Sequence, residues 1–113
     1  MLTVDALKEL GANTDEGLAR CMNNEAFYLR MVGMGLGDAG FGKLEDAIGR
    51  GDYKAAFEEA HALKGITTNL SLTPISKPVS ELTDILRPQQ PVECSGLLKE
   101  IKEQYAKFKA LLD

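Results

Sequence analysis

The chain contains no tryptophan, one histidine, two cysteines and four prolines in 113 residues. Cys21 and Cys94 lie far apart and fit no metal or redox spacing, which argues against a disulfide scaffold, a dithiol redox centre and a zinc site; two reduced, partly buried thiols are expected. No apolar run approaches the ~20 residues that span a bilayer. Met1-Leu2-Thr3-Val4-Asp5 has neither the basic region nor the apolar run of a secretory signal, so a cytoplasmic location is expected. Basic blocks are missing too. With a net charge of −4, nucleic acid and acidic membrane surfaces are not expected partners. Period-2 alternation is nowhere sustained and β-branched residues are thinly spread, which leaves an all-α chain.

What the chain does have is an ordinary globular balance, 44% hydrophobic and 27% charged, enough for one domain over residues 1–113 with its own core. A short helix is expected from about Val4 to Leu10, stopped by Gly11. Asn13 and Glu16 have capping-box spacing and open a second helix through about Met22. Asn23 or Asn24 caps the next, where Phe27, Leu29, Met31, Val32, Met34 and Leu36 form a broad apolar surface. After a break at Asp38-Ala39-Gly40, Phe41, Leu44, Ala47 and Ile48 mark another amphipathic segment, ended by Gly49-Arg50-Gly51. Asp52 then caps a long helix.

In that long helix Ala56, Ala60, Leu63, Thr67 and Leu70 recur at steps of 4 and 3, the seam of a bundle helix. Thr73-Pro74 favours a further helix start. Pro78 lacks a donor and crowds the preceding turn, which moves the expected start toward Ser76 or Lys77. Val79, Leu82, Ile85 and Leu86 form its apolar face, Pro88 stops it, and Gln89-Gln90-Pro91 turns the chain. The last helix carries Val92, Leu97, Leu98, Ile101, Tyr105, Phe108, Leu111 and Leu112. Short connections favour antiparallel neighbours, hence an up-and-down four-helix bundle with short additional N-terminal helices, its motif-bearing part covering about 24–112.

His61 stands in Ala60-His61-Ala62-Leu63-Lys64-Gly65-Ile66-Thr67-Thr68-Asn69-Leu70. At about 100° per residue it projects roughly 140° from the seam centre, on the outer side shared by Gly65 and Thr68. A neutral imidazole is a good nucleophile toward an activated phosphorus centre and titrates close to neutral pH. The resulting phosphoimidazole carries about two negative charges and needs a nearby cation. Lys64, at i+3, shares the helix surface and supplies it. Gly65, at i+4, leaves the approach clear. Phe57, one turn before the histidine, is either the edge of the core or part of an apolar docking patch; Phe57 and Thr68 are the candidate partner-binding residues. Asn69 reads as a local surface residue lying off the histidine's direction, and Glu58 as a solvated charge. No metal cage, second carboxylate or nucleotide loop accompanies the histidine, so a group-holding relay without kinase or ATP-binding activity fits better than a self-sufficient enzyme. Gly35-Leu36-Gly37-Asp38-Ala39-Gly40 satisfies the bare dinucleotide fingerprint, but helix precedes it and no βαβ unit follows. Gly42-Lys43 lacks the Ser or Thr of a phosphate loop.

The run His61-Ala62-Leu63-Lys64-Gly65, continuing Ile66-Thr67-Thr68-Asn69-Leu70-Ser71-Leu72, resembles the histidine-containing phosphotransfer (HPt) domain family. The preceding Leu44-Glu45-Asp46-Ala47-Ile48-Gly49-Arg50-Gly51-Asp52-Tyr53 is similar to that family's approach to its active helix, and the likeness spans about Phe27 to Arg87. The resemblance implies a monomeric, cytoplasmic bundle of two-component signalling. In it His61 takes a phosphoryl group through Nε2 from a receiver-domain aspartyl phosphate and passes it to another receiver, with Lys64 neutralising the phosphate. Response-regulator receivers and a hybrid sensor kinase are the implied partners, with Mg²⁺ on the receiver and no cofactor on this chain. Ser80 or Thr83 on the following helix is the implied orienter of the other ring nitrogen. Ser71 departs from the family, which commonly has glycine there. A chemotaxis-kinase phosphorylation domain shares the motif but carries catalytic, linker and regulatory domains after it. Two other readings stand beside the relay: a non-catalytic helical adaptor binding through the surface around Phe57 and His61, and a degenerate module that has lost its partner.

Overall fold

A computed structural model describes residues 1–112. Its helices are α1 (Val4–Glu9), α2 (Thr14–Arg20), α3 (Glu25–Leu36), α4 (Gly40–Gly49), α5 (Tyr53–Asn69), α6 (Thr73–Leu86) and α7 (Ser95–Lys109). A 3₁₀ turn, Ala110–Leu112, closes the chain, and no strand occurs among the described residues.

The helix starts follow side-chain chemistry. Thr3, Asn13, Asn24 and Asp52 each accept a backbone N–H from the first turn of α1, α2, α3 and α5, contributing about 1 kcal/mol apiece. Only half of the expected capping box forms at α2. The Asn13 side chain accepts from the Glu16 N–H, whereas the Glu16 carboxylate turns away to Ser71 and Arg20. That helix also stops earlier than expected, because Met22 and Asn23 both take φ of 57°, outside helical space.

One buried face and two helix starts also differ. In α3 the buried stripe is Tyr28, Val32 and Leu36, at steps of four, while Phe27 and Met34 face outward. Helix α6 starts at Thr73, so Pro78 lies inside it with its ring buried; the start is not displaced to Ser76 or Lys77. Pro74 occupies the first turn, where its missing donor is harmless. Only Pro78's own missing N–H then interrupts the ladder, and burial of the ring offsets that loss. Helix α7 begins at Ser95, leaving Val92 outside it, because the Glu93 carboxylate accepts the Ser95 N–H at 2.8 Å and turns the chain there.

Helices α4 to α7 pack in chain order, α5 against both α4 and α6, and α6 against α7. Their interior holds Leu44, Leu63, Ile75, Leu82, Leu86, Ile101 and Phe108, each burial contributing about 1.5–3 kcal/mol. Helix α3 is pinned to α7 by the Tyr105 hydroxyl, which donates to the Leu36 carbonyl at 2.7 Å. The Tyr105 ring stacks on Phe41 with centroids 3.9 Å apart. Cys21 and Cys94 are free and buried; burial, then the neighbouring Glu93 charge, pushes the Cys94 thiol above its ordinary value. No described helix is long and apolar enough to cross a membrane.

Two glycines flanking the α3–α4 junction, Gly35 and Gly40, sit at close approaches to α5 side chains, whereas Gly42 meets nothing within 4 Å. A Cβ on Gly35 would lie 2.6 Å from Leu70 Cδ1, so glycine there lets α3 cross the end of α5 at close range.

Candidate functional site

Helix α5 supplies the site and the core from opposite faces. Ala56, Ala60, Leu63, Thr67 and Leu70 are buried, as their spacing requires. His61, Gly65 and Thr68 are exposed on the other side, and Lys64 is half-buried at the flank. Lys and Arg stems routinely lie along apolar surface with the charge held in water. Neither the His61 ring nor the Lys64 ammonium has a hydrogen-bond or ion-pair partner among the described residues. Both are free to meet something outside the chain.

Gly65 shares an open Cβ position with the helical glycines Gly42, Gly49 and Gly96, and is set apart by standing one turn after His61. Glycine inside a helix costs about 1 kcal/mol relative to alanine and so calls for a reason. A close helix crossing is one such reason, but a Cβ built on Gly65 meets nothing within 4 Å. The chain's own packing does not require the small residue. The open shoulder lies one helical turn beyond the imidazole, in a shallow hollow lined by His61, Lys64, Gly65, Thr68 and Asn69.

Asn69 therefore belongs to this hollow, contrary to its expected place off the histidine's direction. It also borders the adjoining depressions toward α3, one with Met31 and Met34 and the other with Arg20 and Phe27. At about 100° per residue Asn69 stands roughly 80° round α5 from His61, near enough for one open hollow to reach both.

Phe57 is half-buried at the rim of the core. Its ring stacks on the His61 ring, with centroids 5.8 Å apart and planes 15° from parallel. On Phe57 also sits the Arg87 guanidinium, its Cζ 5.5 Å from the ring centroid. Such cation–aromatic contacts contribute about 0.5–1 kcal/mol at exposed sites. Arg87 caps the C-terminus of α6 and is oriented by Asp84 of that helix, Nη2 to Oδ1 3.2 Å. Arg87 has no motif signal in the sequence; only the packing of α6 against α5 brings it here. The i−4 position of Phe57 was the one readable hint of the stack.

The two residues of α6 implied as ring orienters are not joined to His61. Thr83 is fully buried and its hydroxyl donates to the Val79 carbonyl of its own helix at 2.7 Å. Ser80 is half-buried and makes no hydrogen bond to His61.

The far end of α5 is held from outside the bundle. The Arg20 guanidinium of α2 donates to the Thr68 carbonyl at 2.5 Å and to Ser71 Oγ at 3.4 Å, and Ser71 Oγ donates to Glu16 at 2.9 Å. A cation at a helix C-terminus also offsets the helix dipole.

Among the described residues no three His, Cys, Asp or Glu side chains gather into a group that could hold a metal ion. The arrangement instead presents one nucleophilic ring, one unpaired cation and an open approach. The family model described as Hpt domain matches residues 38–111, from just before α4 to the closing turn, with all of α5 inside. No curated protein and no solved structure matches the chain.

Proposed function

Because the chain belongs to the Hpt domain family, whose domains carry out histidine phosphotransfer in phosphorelays and interact with receiver domains, we propose that His61 is its phosphoryl carrier. In this reading the unprotonated ring nitrogen attacks the phosphorus of a receiver's aspartyl phosphate. The N–P bond forms as the P–O bond to the aspartyl oxygen breaks, and the carboxylate returns to the receiver. The charge gained by the ring is discharged when the proton on its other nitrogen passes to water. A second receiver aspartate then takes the group by the reverse displacement.

The Lys64 ammonium, unpaired and one turn away on the same surface, neutralises the phosphoryl oxygens. Gly65 leaves room for the receiver to bring its aspartate in line. Thr68 and the adjoining Asn69 line the docking face, with Phe57 at its edge. The receiver contributes Mg²⁺, and the chain works as a cytoplasmic monomer between receivers, one of which a hybrid sensor kinase can carry. The observation that supports this reading most is the exposed His61 beside a glycine whose smallness nothing in its own chain requires.

The test is transfer from a phosphorylated receiver domain. The expected label survives alkali, is lost in acid, and does not form on the His61→Gln variant. Absence of label with several cognate receivers would favour the helical adaptor instead.

A further inference from the structure

An exposed histidine on a helix normally samples several side-chain rotamers. Displacement at phosphorus needs one of them, with donor and acceptor in line at about 3–3.5 Å. A hydrogen bond from a neighbouring side chain to the far ring nitrogen is the common way to select it. No such bond forms among the described residues, and Thr83 of α6 is turned into the core. Something else holds the ring.

We propose that Phe57 is the positioning residue of the His61 imidazole, and that Arg87 braces Phe57 from α6. The three groups form a column of guanidinium, phenyl and imidazole. The phenyl is set by its half-buried seat against the core, the guanidinium by Asp84, and the imidazole by its near-parallel, offset stack on the phenyl. A stack constrains the ring plane while leaving both nitrogens at the edge uncovered. A carrier that must receive and release the same group from the same side benefits from that. The column also ties the nucleophile's geometry to the α5–α6 packing, so the ring is set by the bundle as well as by its own helix.

This inference rests on the role proposed for His61, and its test separates the two. Ring proton and nitrogen signals of His61 are followed by NMR. Phosphorylation is timed with two donors: phosphoramidate, which gives up its phosphoryl group with release of ammonia, and a phosphorylated receiver. Phe57→Leu is expected to shift the His61 ring protons toward those of free histidine and to slow both donors by about 3- to 10-fold, the weight of rotamers no longer selected. Phe57→Tyr, which keeps the stack, restores both readouts. Arg87→Met alters an exposed residue without opening the core, and is expected to move the same ring signals in the same direction by less.

Unchanged phosphoramidate rates in folded Phe57→Leu would overturn the proposal, and so would slowing confined to the receiver, which marks Phe57 as a docking contact. Unmoved ring signals in Arg87→Met would take Arg87 out of the column. Should the wild-type chain accept phosphate from phosphoramidate but from no receiver, the relay role fails while the column is still judged by the small donor. Failure with both donors overturns the two together.

Discussion

At the scale of single residues, Gly65 and Ser71 are two small side chains with opposite explanations. Gly65 answers to nothing inside the molecule. Gly65→Ala is therefore expected to stabilise the fold by about 1 kcal/mol, the ordinary helical difference between the two residues. Gly65→Leu, equally free of internal clash at its Cβ, is expected to leave the melting temperature level or higher while slowing transfer from a receiver at least about tenfold, the cost of misplacing reacting groups. Thermal melts and transfer rates on the same preparations check this; a bulky residue that leaves the rate untouched would remove the steric role of Gly65. Ser71, where the resemblance to the family led glycine to be expected, takes a left-handed position, φ 57°, where a side chain costs roughly 1 kcal/mol. Here the side chain is used: its hydroxyl donates to Glu16 and accepts from Arg20, tying α2 to the end of α5. The departure adds a tether and leaves the histidine's surroundings intact.

Among the elements, α3 shows how one polar atom fixes a helix. Tyr28 is fully buried and its hydroxyl donates to the Leu70 carbonyl, the C-cap of α5, at 2.9 Å. Burial, and after it the charge of Cys21, raises the phenol above its ordinary 10.0. A group whose folded value lies above its unfolded one contributes stability fully below the unfolded value and loses it as pH rises through the folded one. Tyr28→Phe is thus expected to be less stable than wild type by about 1 kcal/mol near neutral pH, for the lost hydrogen bond, with the gap closing above pH ~10. Denaturant titrations at pH 7 to 11 read this directly, since Tyr53 and Tyr105 are common to both proteins. A gap constant with pH would mean that the phenol is not held protonated by the fold. Tyr28 also shows where the sequence was opaque. An apolar count favours Phe27 over a tyrosine, yet the stripe at steps of four runs through Tyr28, Val32 and Leu36. Caps at Asn13, Asn24 and Asp52 and the seam of α5 were legible because each depends on local geometry. Pro78 inside α6 and the stack of Arg87 on Phe57 depend on how elements meet, which no local pattern encodes.

At the scale of the whole molecule, the bundle of α4 to α7 covers the span shared with the family, while α1 to α3 lie outside it. These N-terminal helices grip the end of α5 through Arg20 and Tyr28 and line the depressions that adjoin the hollow at Asn69. The histidine helix is thereby held on one side by the bundle and at its end by the added helices, with one face left open. That distribution suits a carrier, which needs a rigid mount and an unobstructed approach more than a pocket. The account stands on His61 both receiving and releasing a phosphoryl group. Its most direct test starts from protein labelled on His61 by one receiver, freed of that donor and mixed with a second, unphosphorylated receiver carrying its own Mg²⁺. The account predicts that the label leaves His61 and reappears as acyl phosphate on the second receiver faster than it is lost to water. Label that decays only to inorganic phosphate, or that peptide mapping places on any residue other than His61, would contradict it.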